Sequence, residues 1–189
     1  RVSRGLGDVY KRQSLGCKFI ETDVQVSSDG IPYIFHDNDL KRICDLPFKF
    51  DSLSSQEIDD LRIFGDHKIP KLVDALNTFP STSFQIDFKT DEVVNPALEV
   101  ISKSNASERV CVASFNSERL NNVRSTHPHL CISMGPNEVA KTLMSSFGIY
   151  RGIVPGDCLQ IPIRYYGVRI VTKRFVNYLK SKGIKIMVW

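Results

Sequence analysis

The chain has 189 residues, enough for one sizeable hydrophobic core and too few for two comfortable domains. Its 25 Lys and Arg residues against 21 Asp and Glu residues give a formal net charge of +4 at pH 7. Because no basic stripe is interleaved with aromatic residues, the composition argues against nucleic-acid binding. No apolar run reaches the length of a membrane span. We therefore expect neither a nucleic-acid partner nor an integral membrane segment.

The first segment, residues 1–13, has neither helical nor strand periodicity. We expect a disordered or foreign leader there, followed by one barrel domain over residues 14–189. The five cysteines lie far apart and show no metal-ligand or redox spacing. This pattern predicts reduced thiols and a cytoplasmic location.

An alternating stretch from Phe19 to Val26 predicts the strand around which the chain is organised. Glu21 and Asp23 leave the same face of that strand, about 6.5–7 Å apart at Cα. Two carboxylates at this spacing either face water or share a hard cation such as Ca²⁺ or Mg²⁺. A second strand, residues 31–35, ends directly before His36.

Strand-like and helix-like patterns alternate through the rest of the chain. Ser54 and Glu57 have the spacing of a capping box, and Asn95 before Pro96 predicts another helix start. Thr172 is predicted to cap the last helix. Further strands are predicted over 84–89, 109–113, 130–134 and 184–189, and helices over 54–61, 69–76, 118–124, 138–144, from 95 onward and from 172 to 183.

This alternation predicts a parallel sheet covered by helices, either an open doubly wound sheet or a closed barrel. No glycine-rich phosphate fingerprint follows any strand, which counts against a Rossmann-type site. In a barrel, the C-terminal ends of the parallel strands meet at one mouth. Glu21, Asp23, His36, Asp87 and Lys89 lie at or near strand ends, so a barrel would collect them into one site.

The chemistry of this set suits phosphoester cleavage. A cation held by Glu21, Asp23 and Asp87 would polarise a phosphoryl oxygen, and Lys89 would add an ammonium group against the same anion. His36 could transfer a proton at neutral pH. Taken singly, each motif is more often a solvated strand face or a surface turn. The combination is therefore more specific than any of its members.

These residues resemble the glycerophosphodiester phosphodiesterase family. The resemblance runs in order over residues 15–189, and it rests on the segments 15–24, 29–30, 36–42, 69–72, 87–89, 113–115 and 182–189. It implies a TIM-barrel (β/α)8 fold and hydrolysis of glycerophosphodiesters to glycerol 3-phosphate and an alcohol with a divalent metal, Ca or Mg.

The resemblance also implies a role for each residue of the site. By it, Glu21, Asp23 and Asp87 would be metal ligands, His36 the catalytic acid/base and Lys89 a phosphate contact. Trp189 looks like the family's late-strand tryptophan, which lines the mouth near a small-molecule glycerophosphodiester substrate.

The chain departs from the family pattern in two ways. The family usually has Glu where this chain has Asp87, and it opens with a His-Arg-Gly segment that supplies a second imidazole. This chain has Ser3-Arg4-Gly5, without a histidine and only eighteen positions before Glu21, about ten too few for the family spacing, so we regard that likeness as a coincidence. With 189 residues against about 250 for a full barrel, we expect a partial barrel covering roughly strands two to seven. We expect such a fragment to have impaired activity and exposed strand edges that favour association.

Two other functions stay open from the sequence. One is a non-catalytic barrel that binds phosphorylated ligands, which the absence of the first histidine favours. The other is a sphingomyelinase D-like enzyme of the same fold acting on intact phospholipids, against which the sequence shows no apolar surface stretch. The alcohol moiety of the substrate, the metal and the oligomeric state are not predicted.

Overall fold

A computed structural model describes residues 18–188, in which strands and helices alternate along two compact units that divide between Cys111 and Val112. The strands are β1 Phe19–Val26, β2 Pro32–Ile34, β3 Ser83–Phe88, β4 Val110–Ala113, β5 Cys131–Ile132, β6 Cys158–Ile161, β7 Arg164–Tyr165, β8 Val168–Arg169 and β9 Lys185–Val188. The α-helices are α1 Lys41–Cys44, α2 Ser55–Asp60, α3 Leu72–Thr78, α4 Val94–Lys103, α5 Ser117–Thr126, α6 Pro136–Ser146 and α7 Lys173–Ser181, with 3₁₀ turns at Phe50–Ser52 and Ser107–Arg109. Among these helices, none combines the length and the apolar character needed to cross a membrane.

In the first unit, β1 lies between β2 and β3. It pairs with β3 in parallel from Phe19 opposite Ser83 to Val24 opposite Phe88, and with β2 in antiparallel fashion over its last three residues. The parallel ladder therefore ends at Val24, although β1 continues. Asp23 lies one residue before that end. Because β1 and β3 are parallel, their C-terminal ends lie at the same edge of the sheet, and Asp23 is close to that edge.

The core of the first unit contains an aromatic cluster under β2. The rings of Phe35 and Phe50 stack with centroids 4.7 Å apart, and Tyr33 meets Phe50 edge-on at 5.9 Å. The hydroxyl group of the buried Tyr33 donates to Asp59 Oδ1 at 2.9 Å, and Lys71 Nζ lies 2.6 Å from Asp59 Oδ2. Because the hydroxyl group, the only polar group of the side chain, has a hydrogen-bond partner, burial of Tyr33 leaves no polar side-chain atom unsatisfied.

Several helix boundaries follow the predicted chemistry, and one does not. The capping box of Ser54 and Glu57 is confirmed, as is the Thr172 cap, whose hydroxyl accepts from Phe175 N. The predicted Asn95 cap is wrong, because α4 begins at Val94 after an N-cap residue, Val93, whose side chain makes no cap bond. Pro96 then lies in the first turn, where its missing N–H costs no helical hydrogen bond.

In the second unit, β6 pairs in parallel with β9, from Cys158 opposite Lys185 to Ile161 opposite Val188. Helix α7 buries Phe175 and Leu179 in a cluster that includes residues of β6. Strands β7 and β8 form a short antiparallel hairpin between β6 and α7. The strand pairings within residues 18–188 do not close into the ring of a complete barrel.

Four cysteines fall within residues 18–188, and none of them forms a disulfide. The sulfur atoms of Cys131 and Cys158 lie within 4.8 Å of each other, which their separation in sequence did not predict. Ser133 is the parallel partner of Cys158, so Cys131 is a diagonal neighbour two residues away. That offset places the Cα atoms about 8 Å apart, farther than a disulfide spans. Cys17, the predicted leader 1–13 and Trp189 lie outside the described residues.

Asp29 ties the turn between β1 and β2 to the start of helix α2. Its carboxylate accepts from Ser55 N at 2.7 Å and from Ser55 Oγ at 2.5 Å. Hydrogen bonds from the side chains of Ser27 and Ser55 lower the pKa of Asp29 from 3.8 to about 2. The ionised carboxylate therefore stabilises the folded state.

We predict that Asp29→Asn lowers the free energy of unfolding at pH 7, and that this difference from the wild type disappears under acid. A depressed folded-state pKa contributes stability above the ordinary value of 3.8, and this contribution is lost as the pH falls toward about 2. Urea unfolding at a series of pH values measures the difference. Asp66→Asn, at a side chain that is 99% exposed, is the control, and an equal effect there would contradict the prediction.

Candidate active site

Asp23, Asp87 and Lys89 form a compact charged cluster at the end of the parallel ladder. Asp23 on β1 and Asp87 on β3 are direct partners across the sheet. Lys89, just after β3, places Nζ 2.7 Å from Asp23 Oδ1 and 2.8 Å from Asp87 Oδ2. The side chains of Asp87, Asp23 and Lys89 are 8%, 14% and 18% exposed. The ammonium group offsets the repulsion that two neighbouring carboxylates would otherwise suffer.

Two opposing effects determine the pKa of Lys89. Burial lowers it, because a desolvated ammonium group is less stable than a hydrated one. The hydrogen bonds to Asp23 and Asp87 outweigh that penalty and leave the pKa of Lys89 raised above 10.5. Lys89 is therefore charged at neutral pH, and the cluster contains a cation in contact with two acidic side chains.

One oxygen of the cluster lacks a partner in the part of the chain that the structure describes. Asp87 Oδ1 is buried and accepts no hydrogen bond there. A buried carboxylate oxygen without a partner costs free energy, and oxygen ligands of this kind are what Ca²⁺ and Mg²⁺ prefer. Glu21 lies two residues before Asp23 on the same face of β1 and is exposed. The donor chemistry of Glu21, Asp23 and Asp87 thus fits a hard divalent cation.

His36 lies directly after β2 and is paired with a carboxylate that is itself anchored. Its Nδ1 lies 2.6 Å from Asp37 Oδ1, while Arg42 donates from Nε to Asp37 Oδ2 at 2.6 Å and from Nη2 to Oδ1 at 2.9 Å. The Arg42 hydrogen bonds lower the pKa of Asp37, so it is ionised and can only accept. Nδ1 must then carry the proton, which leaves Nε2 of the imidazole as the basic nitrogen.

The backbone around His36 is attached to the strand that carries Asp23. Phe35 N donates to Asp23 O at 3.1 Å, and Gln25 Nε2 donates to Asp37 O at 3.1 Å. Gln25 is on the same face of β1 as Asp23, and its side chain is buried. The loop that presents the imidazole is therefore held against the face of β1 from which the acidic side chains project.

The structure brings together three of the residues singled out from the sequence, Asp23, Asp87 and Lys89. Glu21 lies on the same face of β1 as Asp23. His36 lies in the loop after β2, which is hydrogen-bonded to β1. Lys89 contacts the two carboxylates, and its contact with a phosphate stays a prediction.

Sequence reasoning assigned no role to the Asp37–Arg42 ion pair. An aspartate directly after a histidine was a usable signal. The arginine five residues later follows no helical or strand period, so its bidentate contact could not be foreseen.

Solved structures similar to this chain define its fold. The glycerophosphoryl diester phosphodiesterase domain of a Mycobacterium tuberculosis protein superposes with a TM-score of 0.82 at 17% identity, covering 97% of this chain and 81% of that one. An Oleispira antarctica phosphodiesterase in complex with sn-glycerol-3-phosphate gives a TM-score of 0.77 at 19% identity, covering 97% and 77%. The chain thus has a TIM-barrel-like α/β fold.

Sequence comparison identifies the family. The family model of the glycerophosphoryl diester phosphodiesterase family matches residues 9–189. A probable glycerophosphodiester phosphodiesterase 2 of Mycobacterium tuberculosis is 28% identical over 97% of this chain and 72% of its own length. The chain belongs to the glycerophosphoryl diester phosphodiesterase family, which consists of phosphoric diester hydrolases.

We predict that Lys89→Met lowers the free energy of unfolding by about 3 kcal/mol, because Asp23 and Asp87 lose the cation between them. Lys103→Met is the matched control, since Lys103 forms an exposed pair with Glu99 that water and salt screen. Urea denaturation of both variants in a chelating buffer measures the two losses. Equal losses would contradict a structural role for the cation of Lys89.

Proposed function

We propose that this chain hydrolyses glycerophosphodiesters to glycerol 3-phosphate and an alcohol, with a divalent cation, Ca²⁺ or Mg²⁺, held by Glu21, Asp23 and Asp87. The observation that carries the proposal is the pairing of Asp23 with Asp87 across the sheet, where the buried Oδ1 atom of Asp87 has no hydrogen-bond partner among residues 18–188. The Oleispira antarctica relative bound to sn-glycerol-3-phosphate supports this choice of product.

In this proposal the acidic cluster holds the metal and orients the substrate. A divalent cation, when bound, polarises a phosphoryl oxygen and offsets charge that develops on it. Lys89 keeps Asp23 and Asp87 in place through its two short contacts, and it presents positive charge to the anionic phosphodiester. Trp189 would line the mouth beside the bound substrate.

His36 is the acid/base of the proposed reaction. Hydrolysis adds the oxygen of water to phosphorus and breaks the bond to the alcohol oxygen, which must receive a proton. With Nδ1 bound to Asp37, Nε2 of His36 can accept a proton from the attacking water or donate one to the leaving alcohol oxygen. The side chain of His36 is 54% exposed, so a substrate can reach it. Asp37 acts as a positioning residue.

We predict that Asp87→Asn weakens Ca²⁺ or Mg²⁺ binding by at least the roughly 10- to 100-fold seen for changes around metal ligands, because it removes a ligand charge. Isothermal titration with each metal measures binding, and hydrolysis of glycerophosphocholine measures activity. Glu21→Ala should weaken binding in the same direction.

Asp74→Asn, on the exposed face of α3, is the matched control for the metal titration and should bind as the wild type does. Full metal affinity in Asp87→Asn would refute the assignment of this ligand. Metal binding without hydrolysis in the wild-type chain would favour the non-catalytic, ligand-binding alternative.

We predict that Asp37→Asn lowers kcat about 100-fold while metal binding stays unchanged, because the imidazole of His36 loses its fixed proton position. The pH–rate profile should change shape, which a merely structural defect would not produce. Asp45→Asn is the control, because Asp45 is exposed and its φ of +56° suits asparagine. A wild-type kcat in Asp37→Asn would show that Asp37 does not position His36 for the reaction.

A further inference from the structure

The β7–β8 hairpin of the second unit exposes a cluster of apolar side chains, which we name the hairpin patch. Its members are Ile163, Tyr165, Tyr166 and Val168, which are 51%, 57%, 90% and 68% exposed. The rings of the two tyrosines contact each other edge-on with centroids 4.6 Å apart. Clustered apolar exposure marks an interaction surface. The expectation that this chain exposes no apolar stretch is wrong at this hairpin.

The backbone at the tip of the hairpin is in a conformation that tyrosine disfavours. Tyr166 and Gly167 have φ angles of +46° and +78°, as in the two-residue turn that asparagine followed by glycine fits best. A side chain with a Cβ atom is strained at the first of these positions. Because its ring is 90% exposed, packing within the described chain does not offset that strain. Backbone strain at an exposed aromatic residue does not by itself identify a function, so the charge around this hairpin has to be considered with it.

The surroundings of the hairpin patch are positively charged. Arg164 and Arg169 are exposed, and each donates to a backbone carbonyl group within the hairpin or just after it. In the described part of the chain, neither guanidinium group forms an ion pair with a carboxylate, and the same holds for the exposed Lys173. Residues 158–189 contain seven Lys and Arg residues and no Asp or Glu. A partner of this surface should therefore be anionic.

We propose that this hairpin docks on the surface of an anionic phospholipid bilayer. Tyrosine is amphipathic, and its ring is favoured at the level of the lipid headgroups. Arg164 and Arg169, at either side of the tip, would lie against the headgroup phosphates, where basic residues are attracted by the negative surface potential. Tyr165 and Tyr166 would enter the interface between them.

The size of the hairpin fits this partner better than it fits another protein. Two-residue strands and their turn reach about 10 Å, comparable with the roughly 5–10 Å depth of interfacial anchors. Four side chains are far fewer than the roughly 20–30 residues that a stable protein partner contacts on each side. Docking is also independent of the proposed hydrolysis, since a glycerophosphodiester without acyl chains is soluble in water.

Vesicle flotation of the full chain tests the proposal. We expect binding to vesicles of phosphatidylcholine mixed with phosphatidylglycerol, little binding to phosphatidylcholine alone, and weaker binding as salt is added. Tyr166→Asn removes the ring and relieves the turn, so it should lose binding while keeping or raising the thermal midpoint of unfolding. Arg169→Gln should weaken binding about fivefold, the attraction of one basic residue for such a surface.

Phe64→Asn provides a matched control in the first unit. Phe64 is an aromatic residue at φ +50° that precedes Gly65 and is 50% exposed, so the substitution makes the same change at the same kind of turn. Its neighbour Arg62 lies 3.6 Å from the carboxylate of Asp66, so the surroundings are not uniformly basic. We expect Phe64→Asn to bind vesicles as the wild type does.

Four results would overturn the proposal. These are no binding to either vesicle, equal binding to neutral and anionic vesicles, equal losses in Phe64→Asn and Tyr166→Asn, and unchanged binding in both Tyr166→Asn and Arg169→Gln. Size-exclusion chromatography separates a further outcome. If the chain self-associates without vesicles, does not float with them, and loses self-association in Tyr166→Asn, the hairpin patch is a contact between copies of this chain.

Discussion

At the end of the β1–β3 ladder, the first unit depends on the contacts of the Lys89 ammonium group with the carboxylates of Asp23 and Asp87. The in-register pairing of β1 with β3 makes the two aspartates direct neighbours in a mostly buried position. Without a cation, that pairing would bring two unscreened like charges together. The same arrangement leaves Asp87 Oδ1 without a hydrogen bond in the described chain. The cluster therefore combines an internal ion pair with one carboxylate oxygen that makes no hydrogen bond within residues 18–188.

The loop that carries His36 is also held by an ion pair. Arg42 engages both oxygens of Asp37, and Asp37 in turn determines which nitrogen of His36 carries the proton. Gln25 connects the backbone of this loop to β1. An exposed imidazole would otherwise sample several rotamers and both tautomers. The ion pair of Asp37 with Arg42 restricts that freedom, which is what the proton transfer proposed for His36 requires.

The hairpin patch is separate from the proposed catalytic residues. Family members share a fold that presents many different loops, so a loop can add a surface property without altering the chemistry at the strand ends. In this chain the hairpin patch combines exposed tyrosines with neighbouring arginines. Within residues 18–188, no carboxylate forms an ion pair with these arginines. The proposed docking is compatible with the proposed water-soluble substrate, because the hairpin patch shares no residue with the proposed catalytic site.

Much of the local structure was predictable, because it rests on short-range chemistry. The capping box at Ser54 and the Thr172 cap each join residues three positions apart, and the alternation in β1 repeats every second residue; all three are confirmed. The predicted Asn95 cap is wrong although its sequence signal was good, since the N-cap residue is Val93, two positions earlier, and its side chain makes no cap bond. Packing of an apolar face can thus override the preference of a single capping residue.

The amino-acid sequence by itself determined most of the order of strands and helices, the face of β1 that carries Glu21 and Asp23, and the family to which the chain belongs. It did not predict helix α1 or the β7–β8 hairpin. The tertiary structure alone decided which distant residues meet, because register between strands is a long-range property. It placed Asp87 beside Asp23, directed Lys89 to the carboxylates, and left the Tyr166 ring in solvent. Periodicity specifies which way a side chain points, whereas only the folded chain specifies what it meets there.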